Sequence, residues 1–156
     1  LIFDAEIEAA SVKGTRRIPM NEFIKGIAET ALEPNELAVA VHLKAPPENS
    51  KSLFLKHMSS SEFSIVNLAA LCANPSRPES RTVRFAYGAI TPTPKRIHDI
   101  EETFRREAPV PKLIDEAVET IMRTAEAMTD ALARAEYRSH ILEVLSIKGF
   151  RRLLGS

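Results

Sequence analysis

The stretch SIVNLAALCA, Ser64 to Ala73, is apolar on both of its alternating sets of positions. Ile65, Ala69 and Leu71 occupy one set, and Val66, Leu68, Ala70 and Cys72 the other. A strand with that pattern needs cover on both faces, so it predicts the centre of a sheet. From Thr82 to Ile90 the alternation is one-sided, with Val83, Phe85 and Tyr87 against Arg84, Ala86 and Gly88. The connecting NPSRPES segment is long and carries two prolines, which predicts antiparallel pairing through an irregular turn. Leu53 to Met58 is the third expected strand.

Before this sheet, the alternation of Leu1 to Ala10 predicts a strand. Lys13-Gly14 predicts a tight turn, and Arg16 to Ile18 a short return strand ended by Pro19. Asn21 is placed to cap a single helical turn over Glu22 to Gly26. The polar turn Leu32 to Glu36 leads into an apolar strand, Leu37 to Leu43. Residues 44–51, with two prolines and no apolar anchor, predict a linker and domain boundary.

After the sheet everything reads as helix. Thr93-Pro94 resembles a helix start, followed by Ile97, Ile100 and Phe104 at helical spacing. A second helix opens near Pro111 with a stripe of Leu113, Ile114, Ala117, Val118 and Ile121. A third, Ala133 to Leu153, is expected to present Tyr137, Ile141, Val144 and Leu145 on its packed side. The fold class is therefore α+β: an antiparallel three-stranded sheet packed with three helices, preceded by a small β-rich piece.

The 21 lysines and arginines balance 21 acidic residues, so no net field draws the chain to nucleic acid or to an anionic membrane. No apolar run approaches the roughly 20 residues of a membrane-spanning helix. The lone Cys72 lies in the doubly apolar strand and is expected to be an inert buried thiol, which fits a cytoplasmic compartment. His42, His57, His98 and His140 are scattered without metal-ligand spacing. No nucleophile elbow or glycine-rich phosphate loop is present, so no catalytic or metal-binding residue is assigned. The triple serine Ser59-Ser60-Ser61 can hydrogen-bond a phosphate but more commonly forms a turn. Tyr137-Arg138 reads as a helix-to-sheet packing contact without chemistry. The opening residue is not methionine and starts directly in strand-like sequence, which is expected of a piece of a longer protein.

Seven blocks stand in order: LIFDAEIE, GTRRIPMNEFIKG, TALEPNELAVAVHL, FLKHM, SIVNLAALCA, YGAITPTPKR and EYRSHILEVL. Their order and spacing, over nearly the whole chain, resemble the C-terminal half of the FAD-binding (medium) subunit of the molybdenum hydroxylases, the group of xanthine and carbon-monoxide dehydrogenases. The resemblance implies that residues 1–45 are the end of the FAD-binding domain and residues 50–156 the family's C-terminal domain. The two glycine-rich segments that hold the pyrophosphate and flavin in that family have no counterpart here. By position, Lys56 falls where the family has a lysine that contacts FAD. Ala38 falls where a larger aliphatic residue stands beside the cofactor, and Ile65 where an isoleucine approaches the flavin ring. The arginines and aspartate that precede that isoleucine in the family are Ser60, Ser61 and Ser64 here. The resemblance further implies an oxidoreductase whose partner subunits are a large one with molybdopterin and a small one with [2Fe-2S] clusters, the fragment alone being inactive. The alternative from a different class is a non-enzymatic α+β interaction module that has lost flavin binding.

Overall fold

In the computed structural model, which describes residues 1–58, 63–106 and 109–155, two larger antiparallel sheets lie on either side of the 44–49 connection. The first begins with a tight hairpin of β1 (Glu6–Ser11) and β2 (Gly14–Pro19), closed by Ser11↔Gly14 pairing. Gly14 takes φ +132°, where any side chain would be strained. The one-turn helix α1 (Met20–Phe23) follows, then β3 (Ile24–Gly26) paired with β4 (Glu29–Thr30). The strand β5 (Leu37–His42) returns to β1, giving the order β2-β1-β5.

The second sheet contains β6 (Ser50–Met58), β7 (Ser64–Ala73), β8 (Thr82–Gly88) and the two-residue β9 (Lys95–Arg96), in that order. It has one strand more than expected, and the doubly apolar Ser64–Ala73 is interior, as its pattern demands. Three helices cover one face: α2 (Asp99–Thr103), α3 (Val110–Thr124) and α4 (Ala135–Leu154). The core they enclose joins Val66, Leu68, Ala70 and Cys72 of β7 and Val83, Phe85 and Tyr87 of β8 to Leu113, Ala117, Ile121, Leu142 and Phe150. Phe150 stacks against Phe85 and Phe104 with ring centroids 5.3 and 5.0 Å apart.

Four local expectations are corrected. The first strand begins at Glu6, because Leu1 to Phe3 instead pack on the second sheet, where Ile2 is buried with Leu71 and Ala86. The single helical turn starts at Met20 and takes in Asn21, so that asparagine does not cap it and Ile24 is already extended. Thr93-Pro94 does not open a helix, since Lys95 and Arg96 pair with Tyr87 and Ala86 and the helix waits until Asp99. The strand expected at Leu53 starts at Ser50, inside the supposed linker.

The packed side of α4 differs most. Its fully buried line runs through Arg138, Leu142, Ser146, Gly149, Phe150 and Leu153; of the expected residues Ile141 and Leu145 pack against the core, while Tyr137 and Val144 are 45% and 46% exposed. At Gly149 the helix lies over the leucine side chains of β6 and β7: a Cβ there would meet Leu68 at 3.5 Å, Leu53 at 3.7 Å and Leu55 at 3.8 Å, all ordinary contacts.

Candidate functional site

Residues along β6 alternate between two environments. Leu53, Leu55 and His57 are half-buried toward α4, whereas Phe54, Lys56 and Met58 are exposed on the face without helices. Directly paired antiparallel residues share a face, so that open face continues from Lys56 to Asn67 and Gly88, and from Phe54 to Ala69, Ala86 and Arg96. A Cβ at Gly88 would stand 2.7 Å from Asn67 Oδ1, so any larger residue there would push the Asn67 amide aside.

The opening residues of the chain cover part of this face. Arg84 donates to the Ile2 carbonyl at 3.0 Å and meets Asp4 at 2.9 Å, while Arg96 donates to Asp4 at 2.6 Å and to Glu101 at 2.6 Å. Asp4 is held at φ +48° by this arrangement. Between the anchored segment and the sheet lies a cleft of about 200 Å³, bordered by Leu1, Ile2, Met20, Asn67, Ala69 and Ala86. Asn67 links it to Lys56, its partner in the β6–β7 ladder.

The structure puts Lys56 and Ile65 on one hairpin but in different surroundings. Lys56 is exposed on the outermost strand of its sheet. Ile65 is 4% exposed and belongs to the main core. A register shift is the cause: His57 pairs with Val66 and Met58 with Ser64, so Ile65 is the surplus residue of a bulge. Ala38 lies elsewhere, exposed on β5 and paired with Ala9 in the first sheet. The Ser59-Ser60-Ser61 run lies outside the described residues.

One polar residue of the site region carried no chemistry in the sequence reading. Arg138, 1% exposed, crosses from α4 to the sheet, where its Nη1 donates to the Ile65 carbonyl at 2.5 Å and to the Ala89 carbonyl. Its Nη2 stands 2.5 Å from Asp130 Oδ1. The Leu132 N–H, with the Arg138 guanidinium and the Ala133 N–H, holds the Asp130 carboxyl below the usual range. Beside Arg138, the Tyr137 hydroxyl lies 2.9 Å from His57 Nε2. No local pattern distinguishes such an arginine from a solvated one, because its partners are backbone carbonyls far away in sequence.

Of the remaining histidines, His140 is exposed and the other two each meet a glutamate. His42 Nε2 sits 2.5 Å from Glu8, and His98 Nδ1 3.5 Å from Glu101. Among the described residues no cluster of His, Cys, Asp and Glu could hold a metal, and no helix is long and apolar enough to cross a membrane. Burial pushes the Cys72 thiol up to about 11, which keeps it protonated and unreactive at neutral pH.

Residues 55–153 match the family described as the CO dehydrogenase flavoprotein C-terminal domain. Over 152 residues the chain is 30% identical to the xanthine dehydrogenase FAD-binding subunit of Escherichia coli O157:H7, covering 95% of this chain and 51% of that protein. Its fold superimposes on a chain of the carbon monoxide dehydrogenase from Hydrogenophaga pseudoflava with a TM-score of 0.87 at 17% identity, over 99% of this chain and 54% of that one. For the quinoline 2-oxidoreductase from Pseudomonas putida 86 the TM-score is 0.85 at 18% identity, over 99% and 53%. The chain thus spans about half the length of the relatives it matches.

Proposed function

The chain belongs to the CO dehydrogenase flavoprotein C-terminal domain family, and from that premise we propose that it supplies one wall of the FAD site in a molybdenum hydroxylase-type oxidoreductase. On this reading residues 1–45 end the FAD-binding domain and residues 50–156 form the C-terminal domain. The subunit's partners are a molybdopterin-binding large subunit and an iron–sulfur small subunit. Bound FAD would supply the relay that takes electrons from the [2Fe-2S] clusters to an acceptor.

The observation that carries the reading is the open face at Lys56. A cationic donor stands there between the exposed Phe54 and Met58, next to a cleft whose sheet side is Asn67, Ala69 and Ala86. An ammonium suits an anionic or carbonyl acceptor of the cofactor, and the flanking apolar side chains suit a flat ring system. What fits is one wall only. The glycines at 14, 26, 88, 149 and 155 are dispersed and form no run of N–H donors for a pyrophosphate. Ala38 and Ile65 are assigned to the same cofactor: Ala38 would act from the first sheet, and Ile65 through the backbone it sets at the bulge.

Flavin absorbance and FAD affinity of the intact gene product test this. A lysine hydrogen-bonded to the cofactor is worth about 1.5–3 kcal/mol, against well under 1 for a solvated edge lysine. Lys56→Ala should therefore weaken FAD binding by about tenfold or more and leave the melting of the apo form nearly unchanged. A flavin-free parent protein, or a variant with the parent's affinity, would sink the assignment.

A further inference from the structure

We propose that the first turn of α4 is a clamp on the β6–β7 hairpin, with Arg138 and Tyr137 acting as positioning residues for Lys56. The inference rests on the FAD reading of Lys56 and adds to it the machinery that would hold that lysine in place. Consecutive side chains of one helix hold the two stems of one hairpin: Tyr137 takes His57, the neighbour of Lys56 on β6, and Arg138 takes the Ile65 carbonyl on β7.

The geometry explains why these residue types are needed. The bulge leaves Ile65 without a partner in the ladder, so its carbonyl needs another donor. Ala89 has left the end of β8 at φ +64°, and its carbonyl is turned to the same guanidinium. Both carbonyls accept from the one nitrogen, Nη1, while Nη2 meets the Asp130 carboxylate at 2.5 Å as an ion pair. A lysine ammonium would keep the charge but not the fixed separation of Nη1 from Nη2 that reaches the carbonyls and the carboxylate separately. On the other stem, the Tyr137 ring meets His57 edge-on, with centroids 5.9 Å apart at 65°, so the hydroxyl contact is oriented rather than incidental. Since His57 and Lys56 point to opposite faces of β6, fixing His57 on the helix side fixes the roll of the strand and the direction in which Lys56 leaves it.

The test uses the intact gene product and four variants: Arg138→Lys, Tyr137→Phe, Lys56→Ala and the Lys56→Ala/Tyr137→Phe double variant. The readouts are FAD affinity, the visible circular dichroism of bound flavin and the melting of the apo form. Arg138→Lys should weaken FAD binding about tenfold and alter the flavin circular dichroism, and Tyr137→Phe should weaken binding about threefold with unchanged apo melting. In the Lys56→Ala background the Tyr137→Phe effect should disappear, because a positioning residue has nothing left to position. If Lys56→Ala weakens binding but Tyr137→Phe and Arg138→Lys do not, the clamp is overturned and the FAD reading survives. If Arg138→Lys does not fold, Tyr137→Phe and the double variant decide by the same criterion. An unchanged affinity in Lys56→Ala overturns the FAD reading and the clamp together.

Discussion

β5 and β7 are both rich in apolar side chains, yet they end in opposite circumstances. In β7 the residues Val66, Leu68, Ala70 and Cys72 are fully enclosed, while Leu37, Val39, Val41 and Leu43 around β5 remain 72%, 54%, 62% and 64% exposed. The strands do not differ in hydrophobicity so much as in what lies on them. α3 and α4 enclose a shared core over β7, whereas among the described residues the helix packed on the first sheet is the one-turn α1. A sheet face contributes its roughly 25 cal/mol per Å² only when another layer removes it from water. One face of the first sheet is buried at Ile7, Ala9 and Ile18, and its exposed side adds a polar fastening: Arg16 donates to both Glu36 oxygens, at 2.6 and 2.8 Å, and to the Ala31 carbonyl at 2.9 Å.

The contrast would be broken most directly in the core. Phe150→Ala removes a ring stacked on Phe85 and Phe104 and should cost about 3–5 kcal/mol, measured by chemical denaturation. Amide exchange in β1 and β2 should rise far less than in β7. Equal rises in both would show that the two sheets unfold as one unit.

Proteolysis sharpens the boundary between them. Lys44 and Lys51 are exposed on either side of a proline-containing connection, so limited trypsin treatment should cut there first and leave residues 52–156 as the resistant piece. Initial cleavage at Arg84, inside β8, would contradict that core.

The smallest effect expected is an acid-sensitive step confined to the first sheet. The Arg16 guanidinium, helped by the Glu33 N–H, lowers the Glu36 carboxyl from 4.5 to about 2. A carboxyl depressed on folding adds stability that is fully present above its unfolded value near 4.5 and is lost as pH falls toward 2. Amide exchange in β2 and the Glu33–Glu36 turn should therefore quicken between about pH 4.5 and 2, and Glu36→Gln should flatten that dependence. A β2 profile as flat in the parent as in the variant would remove Glu36 from the fastening.

Much of this contrast was legible before the structure. Ser64–Ala73 announced an interior strand because both of its faces are apolar, and the stripe of α3 announced a buried helix face. The packed face of α4 was legible only in part: Ile141 and Leu145 pack on the core as expected, but Arg138, Ser146 and Gly149 are buried without contributing to a hydrophobic period. Leu1 to Ala5 imitated a strand because alternation says nothing about which sheet receives the side chains. At the candidate site, Lys56 could be singled out only through family resemblance. The bulge that turns Ile65 into the core depends on a pairing register that no short window of sequence contains.

Gly88 and Asn67 lie side by side on the open face, with the amide oxygen in the space where a methyl group would stand. In evolutionary terms the two positions form an epistatic pair. A side chain at 88 would have to displace the Asn67 amide, so the effect of a substitution at either position depends on what stands at the other. Because Asn67 is also the ladder partner of Lys56, such a displacement reaches the neighbourhood of the lysine.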